Sequence, residues 1–439
     1  MKILFISLGC DKNLVDTEVM LGLLASRGYE MTDDERQADI IVINTCCFIH
    51  DAKEESIQNI LEMAEYKKSG QVKALIVTGC LAQRYRQEIL DEIPEVDEVL
   101  GTTAYDKILD AVDRALEGEQ GIILSDLNAL PVSGAKRLVT TGGHFAYLKI
   151  AEGCDKHCTY CIIPKIRGNF RSVPMERLIK EAKELAEQGV KELILVAQET
   201  TLYGKDLYGE KCLHRLVEEL CKIAGIRWIR ILYCYPEEIT DELIEVIKKE
   251  PKVCHYLDLP IQHASDSILK RMGRRTSKQE LTDIVKKLRK EIPDICLRTT
   301  LITGFPGETE DQHEELMQFV DEMEFDRLGV FTYSPEDTPA AVMPDQIAEE
   351  VKEERQADLM ELQQEIAFDN AENMIGREML VMIEGKVADE NAYVGRTYRD
   401  APNVDGLIFI NTEEELISGD FAKVKITGAL EYDLIGELL

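Results

Sequence analysis

The sequence predicts an α/β protein in three parts: an N-terminal parallel α/β domain, a central full or partial (β/α) barrel, and a small antiparallel β-barrel. Three observations predict it. Short β-branched apolar runs alternate with helical stretches through the first third of the chain. The alternation restarts with longer helices at Phe145, and after Gly376 the texture changes to short strands broken by Gly and Asp turns. A chain of 439 residues is also too long for one ordinary core, so two or three domains are expected.

In order, the first strands are Lys2–Ser7 (KILFIS), residues 39–44 (DIIVIN) and residues 74–78 (ALIVT), with helical stretches at 17–27 and 54–67 between them. Strand–helix–strand alternation of this kind builds a parallel sheet. Residues 125–143 are rich in Ser, Thr and Gly and read as a linker. Six strand candidates follow, at 147–151, 192–196, 228–233, 256–260, 296–302 and 327–332, each succeeded by a helical stretch. Six such units suit a (β/α) barrel, although periodicity alone does not separate a barrel from an open doubly wound sheet. Residues 346–372 carry nine acids and two bases and read as a connecting helix. The last strands are 379–383, 407–409 and 421–426, in a small barrel of the usual antiparallel kind. The expected domains are therefore 1–125, a linker 126–144, a core 145–345, a helix 346–374 and a terminal barrel 375–439.

Apolar residues at 45% and charged residues at 31% exclude wholesale disorder. No run of apolar residues is long enough to span a membrane, and the N-terminus lacks the pattern of a signal peptide. The expected location is the cytoplasm. A formal charge of −32 repels phosphate backbones and favours basic partners, or serves solubility alone. Twelve cysteines in a reducing compartment point to metal or redox chemistry more than to disulfides.

The sharpest local signal is Cys154-x3-Cys158-x2-Cys161, just past a predicted barrel strand. Three thiolates on one loop can ligate three irons of a cubane and leave the fourth open, the mark of a catalytic centre. The alternative is a zinc site completed by a distant ligand such as His157 or His263, although zinc sites usually pair C-x2-C with a second close pair. A second set is dispersed. Cys10, Cys46 and Cys80 each follow a predicted parallel strand of the first domain, at the sheet edge where α/β proteins bind ligands. Cys47 reads as a bystander, and Cys212, Cys221, Cys234, Cys254 and Cys296 as core residues. Other strand ends carry polar groups: Gln198-Glu199, Gln262-His263 and the turn from Thr303 to Thr309, whose glycines would admit a ligand close to the backbone.

These residues resemble a known family. Cys154-x3-Cys158-x2-Cys161 is similar to the radical S-adenosylmethionine signature, in which the open iron chelates the methionyl amino and carboxylate groups. Cys10, Cys46 and Cys80, within LGCDKN, NTC and GC, resemble the second-cluster ligands of methylthiotransferases. The tail from Arg377 is similar to the TRAM barrel that ends those enzymes. SLGCDKNLVD around the first cysteine is nearest the RimO-type branch, which modifies an aspartate of small-subunit ribosomal protein twelve. The sister enzymes acting on a modified adenosine of tRNA, the alternative function, typically read YGCQMN there. RimO-type members usually carry proline where this chain has Asp11, a change from which no consequence is expected.

The resemblance implies two 4Fe-4S clusters, on Cys154, Cys158 and Cys161 and on Cys10, Cys46 and Cys80. It also implies S-adenosylmethionine, with Tyr160, Gln198, Glu199, Gly304 and Glu308 as candidates for cradling it. Reduction of the first cluster would cleave the cofactor to a radical that takes hydrogen from the aspartate β-carbon, and the second cluster would deliver the methylthio group. The implied partners are ribosomal protein twelve or the assembled subunit, and an electron donor protein. Charge supports the protein substrate: after Gly376 six bases stand against thirteen acids, unlike a barrel built to grip RNA. A local basic patch at Arg396 and Arg399 is the feature that would favour direct RNA contact.

Overall fold

Aliphatic runs with both faces apolar become buried parallel strands, because helices then cover both sides of the sheet. A computed structural model of the chain describes residues 1–130, 136–388 and 391–439. In its first part, β1 (Lys2–Ser7), β2 (Glu30–Thr32), β3 (Ile40–Thr45), β4 (Ala74–Gly79), β5 (Glu98–Leu100) and β6 (Gly121–Ile123) form one sheet in the order β2-β1-β3-β4-β5-β6. Every pair is parallel, and β3 and β4 bury all their residues. The three strands that precede cysteines are therefore immediate neighbours at the centre of the sheet.

The central part begins with β7 (Phe145–Lys149) and a short ribbon, β8 (Ala151–Glu152) with β9 (Arg171–Ser172). It continues through β10 (Glu192–Val196), β11 (Trp228–Ile231), β12 (Val253–Gln262), β13 (Cys296–Thr303) and β14 (Arg327–Thr332). The six long strands are parallel in the order β14-β13-β12-β11-β10-β7, and the edge strands β7 and β14 are not paired with each other. The structure thus resolves the choice that periodicity left open: the sheet is a partial barrel. Alternate residues part its faces, with Leu193 and Leu195 in the core under the helices and Ile194 and Val196 turned to the inner face.

Neighbouring parts close that inner face. Helix Asp11–Ser26 of the first domain lies along β7, with Val15 joining the inner cluster. Arg137, in the predicted linker, is buried and donates to Glu18 (2.8 Å), Glu181 (2.7 Å) and the Tyr147 carbonyl (2.7 Å), so this segment is fastened to both domains. Helix Glu349–Glu372 packs on β14. The two bases of its acidic run are buried near its N-terminus: Lys352 donates to the Tyr333 carbonyl (2.9 Å) and Arg355 to Glu308 (2.9 Å).

The C-terminal strands β15 (Glu378–Lys386), β16 (Ala392–Arg396), β17 (Ile408–Asn411), β18 (Phe421–Leu430) and β19 (Asp433–Leu438) close into a five-stranded barrel, β15-β16-β17-β19-β18. Its pairs are antiparallel except β17 with β19, which run parallel, a departure from the expected all-antiparallel pattern. The loop after β16 reaches the open sheet. Tyr256 donates to Asp405 (2.6 Å), Arg230 to the Tyr398 carbonyl (2.7 Å) and Arg396 to Glu192 (2.7 Å). Arg399 pairs with Asp326. Arg396 and Arg399 are thus internal docking residues, which removes the proposed basic patch. Arg396→Ala would leave Glu192 and Glu384 short of a partner in a buried network, at a cost of about 3–5 kcal/mol. The expected result is a matching loss in denaturant unfolding and easier proteolytic release of the terminal barrel; unchanged values would mean that the network is not what holds the barrel in place.

Among the described residues, no helix is long and apolar enough to cross a membrane.

Candidate active site

Cys10 caps the N-terminus of helix Asp11–Ser26, Cys46 directly follows β3, and Cys80 directly follows β4. Thr45 and Gly79 are paired across the two strands, so Cys46 and Cys80 leave the sheet at the same level. Room for Cys46 comes from Gly9: a Cβ there would stand 2.7 Å from the Cys46 Cβ, and the φ of +88° also favours glycine. Ser56 holds the Cys46 backbone from both sides, accepting from its N–H (2.9 Å) and donating to its carbonyl (2.8 Å). Asn13 ties the loops together by donating to the carbonyls of Leu8 and Thr45, both at 3.0 Å. Burial pushes the Cys46 thiol up to about 12, and the neighbouring Cys80 and Cys10 push it the same way. That mutual repulsion is what three thiols within electrostatic reach of one another produce. A bound metal ion reverses it by drawing off the protons.

Cys154 and Cys158 are buried, and Cys161 is half-buried. Their loop is stitched to its surroundings by backbone bonds from Cys154 to Gly168 (3.1 Å) and from Thr159 to Met272 (2.9 Å). Burial pushes the Cys154 thiol up to about 12 and raises Cys161 as well. No three His, Cys, Asp or Glu side chains among the described residues converge closely enough for a single metal ion. Of the two histidines weighed for a zinc site, His157 is exposed, and buried His263 accepts from the Ser265 N–H (3.0 Å) through Nδ1 and leaves Nε2 outside any hydrogen bond, 3.5 Å from Glu308.

Two bridges join the cysteine sets. The segment after β11 carries the first: Tyr233 donates to Asp11 (3.0 Å), next to Cys10, and the Tyr235 hydroxyl lies 3.8 Å from the Cys158 sulfur. Asp11 is therefore a contact between domains. The second bridge is buried. Asn13 accepts from Arg167, Arg167 donates to Glu152 (3.3 Å), and Glu152 accepts from Gln198 (3.1 Å). Gln198 in turn accepts from the Gly153 N–H (2.8 Å), which directly precedes Cys154.

Sequence models of three families match the chain in this order: the uncharacterised protein family UPF0004 over residues 2–101, the radical SAM superfamily over 148–320 and the TRAM domain over 375–439. The ribosomal protein uS12 methylthiotransferase RimO of Lachnoclostridium phytofermentans is 67% identical over 437 residues, which is 99% of either chain. The chain belongs to the RimO family of methylthiotransferases. The RimO of Clostridioides difficile is 50% identical over 440 residues, all of this chain and 99% of that one. Among solved structures, the radical S-adenosylmethionine methyltransferase TsrM of Kitasatospora setae aligns with a TM-score of 0.55 at 14% identity, over 78% of this chain and 77% of that one. At that identity the likeness is one of fold.

In this RimO-family chain the five predicted cofactor residues part into two groups. Tyr160, Gln198 and Glu199 adjoin the Cys154–Cys161 loop. The Glu199 carboxyl is fully buried, accepts from the Thr201 N–H (2.8 Å) through one oxygen and leaves the other without a partner. Gly304 and Glu308 form the second group: the Lys352 side chain fills the space beside Gly304, 2.2 Å from where a Cβ would be, and Glu308 pairs with Arg355 (2.9 Å). The glycine turn thus admits a lysine of the connecting helix on that side.

Arg274 is the residue that the sequence did not reveal. Buried and stacked 4.2 Å over Tyr235, it stands 3.5 Å from the Glu237 carboxylate, has three side-chain nitrogens outside any hydrogen bond, and lies within electrostatic reach of Cys158 and Tyr160. A Glu199 oxygen without a partner and an Arg274 guanidinium held only by a 3.5 Å ion pair, both within reach of the cysteine loop, suit the amino and carboxylate groups of an amino acid. The donor set therefore fits both an iron–sulfur group and a methionyl cofactor.

Burial pushes the Glu199 carboxyl up to about 7. Between the ordinary value of 4.5 and about 7 the folded chain holds a proton that the unfolded chain has lost, so this group subtracts stability as pH rises through that window. Glu199→Gln removes the slope. The variant is expected to gain on the parent by about 3 kcal/mol across the window, read from unfolding of the metal-free protein at each pH. A difference that is flat in pH would show Glu199 to ionise normally.

Proposed function

We propose that this radical SAM methylthiotransferase places a methylthio group on the β-carbon of an aspartate in ribosomal protein uS12, free or within the small subunit. The observation that carries the reading is the pair of cysteine triads bridged through Tyr233–Tyr235 and through Arg167, in a chain of the RimO family. In this reading Cys154, Cys158 and Cys161 hold one 4Fe-4S cluster, and Cys10, Cys46 and Cys80 hold a second. When bound, the cluster and S-adenosylmethionine supply an electron and a carbon radical strong enough to take hydrogen from an unactivated carbon, chemistry that belongs to the cofactor.

The chain's own part is to bind, orient and exclude water. Arg274 would meet the methionyl carboxylate and Glu199 would accept from the N–H of the methionyl amino group, while Tyr160 and Gln198 shape the loop between them. Gly304 and Glu308 set the back of the site through Lys352 and Arg355. The working divisions 1–125, 126–144, 145–345, 346–374 and 375–439 follow the breaks between elements.

The partner's chemistry is argued from charge. With Arg396 and Arg399 spent on docking, the exposed acids Glu378, Glu413, Glu414, Glu415, Asp420, Glu431 and Glu437 outnumber the exposed bases Arg377, Lys386, Lys423 and Lys425 on the described terminal barrel. An acidic surface steers toward a cationic ribosomal protein and away from RNA phosphates. An electron donor protein completes the cycle, and the cytoplasm is the compartment where thiols stay reduced. The test is anaerobic reconstitution, an iron and sulfide count of about eight each, and incubation with uS12 and, separately, with tRNA. Added methylthio mass on the uS12 aspartate is expected; modification of tRNA alone would overturn the substrate assignment.

A further inference from the structure

We infer that Arg167 is a positioning residue that fixes the register of the two cysteine triads and supplies the positive charge beside Cys80. The inference rests on the two-cluster reading above.

Arg167 ends the short helix Ile163–Arg167, which begins two residues after Cys161. Its side chain is 2% exposed, yet it reaches out of its own domain. One nitrogen donates to Asp16 (2.9 Å) and to both oxygens of Glu152 (3.3 and 3.4 Å), and the other donates to Asn13. Asn13 and Asp16 lie one turn apart on the helix capped by Cys10, and Glu152 stands two residues before Cys154. A single guanidinium therefore grips the stem of each triad. Lys149 ties the same two acids together, donating to Asp16 and to Glu152 (2.7 Å). The Cys80 sulfur contacts Asn13 (3.8 Å) and lies within hydrogen-bonding reach of Arg167, and Cys10 is within its electrostatic reach.

Two acids and two bases buried at a junction are an expensive way to gain stability, because desolvation consumes most of the attraction; apolar packing would hold as well. What the ionic arrangement adds is direction. The planar fork of Arg satisfies partners at fixed angles, so the two domains meet in one register, and lysine cannot reproduce it. A methylthio group held by Cys10, Cys46 and Cys80 would have to reach a substrate carbon placed beside the other triad, and a displacement of an ångström there is costly. The same cation stabilises the more negative, reduced form of a group held by Cys80, since nearby charge and hydrogen bonds to sulfur tune such potentials.

The test uses the full chain, reconstituted without oxygen, as Arg167→Lys and Arg167→Met. Four quantities are read: iron per chain, 5′-deoxyadenosine formed, methylthiolated uS12 per deoxyadenosine, and the midpoint potential of the group on Cys10, Cys46 and Cys80. Arg167→Lys is expected to keep its iron and deoxyadenosine rate while product per deoxyadenosine falls about tenfold or more. Arg167→Met should lower that ratio as well and move the midpoint potential to more negative values. A residue that merely aided folding would lower iron and both products together, leaving the ratio and the potential alone. Should Arg167→Lys fail to load, Glu152→Gln, isosteric and still able to hydrogen-bond, is expected to lower the ratio in the same sense. An unchanged ratio in whichever variant loads overturns the inference. A parent protein with about four irons instead of eight would sink the two-cluster reading itself, whereas full iron with an indifferent Arg167 sinks this inference alone.

Discussion

Cys158→Ala is expected to abolish cleavage of S-adenosylmethionine. Cys158 is the middle thiol of its loop, buried, with its sulfur against the Tyr235 hydroxyl and the guanidinium of Arg274 nearby. An iron cube held by two thiolates loses an anchor as well as the charge that those thiolates share, and its binding free energy falls with them. The loop itself does not depend on the sulfur: Thr159 bonds the Met272 carbonyl and Ala340 bonds that of Thr159, both at 2.9 Å. The variant should therefore fold, lose about half its iron and form no detectable 5′-deoxyadenosine. Chromatography of the reaction mixture measures that product. Parent-rate formation by a variant with normal circular dichroism would remove Cys158 from the ligand set.

Long apolar strands and the cysteines after them were legible because each signal is local. KILFIS, DIIVIN and ALIVT need only their own side chains to be read as buried strands, and the observed β1, β3 and β4 match them to within a residue or two. Edge strands carry less. Glu30–Thr32, Glu98–Leu100 and Gly121–Ile123 are three residues each, too short for a period to appear. Whether six strands close or stay open depends on pairing between the first and last, which no local pattern encodes. The parallel β17–β19 pair escaped for the same reason.

Polar partners were the least legible part of the site. Arg167, Arg274 and Asn13 look in sequence like any other charged or amide residues, and their meaning comes from burial without competing solvent. Arg396 and Arg399 mislead in the opposite direction: two bases near each other in an acidic tail resemble a surface patch, whereas Glu192 and Asp326 draw them inward. The open sheet explains why so many charges are internal. Its inner face is lined by Glu192, Arg230, Asp258 and Arg298, which pair as Glu192–Arg230 (2.8 Å) and Asp258–Arg298 (3.3 Å) and still have donor and acceptor capacity to spare. The first domain and the terminal barrel supply what is missing, through Asp11 to Tyr233 on one side and Asp405 to Arg298 and Tyr256 on the other. The three parts are thereby obliged to assemble around the mouth of the sheet.

Cys46→Ala separates the two triads by function. Its backbone is held by Ser56 in both directions and its space is provided by Gly9, and neither contact needs the sulfur. Replacing a small buried thiol by a methyl group leaves a slight cavity, worth about 1 kcal/mol, so the domain should remain folded. The loop of Cys154, Cys158 and Cys161 belongs to another element and is untouched. The expected outcome is a loss of about half the iron, 5′-deoxyadenosine still formed at a rate near that of the parent, and methylthiolated uS12 reduced below detection. Cys47 provides the control: adjacent and equally buried, it packs among the aliphatic residues of the first domain. Cys47→Ala should keep both products. If instead Cys46→Ala yields normal product and Cys47→Ala does not, the sulfur chemistry belongs to the neighbouring thiol, and the geometry of the first triad has to be redrawn around it.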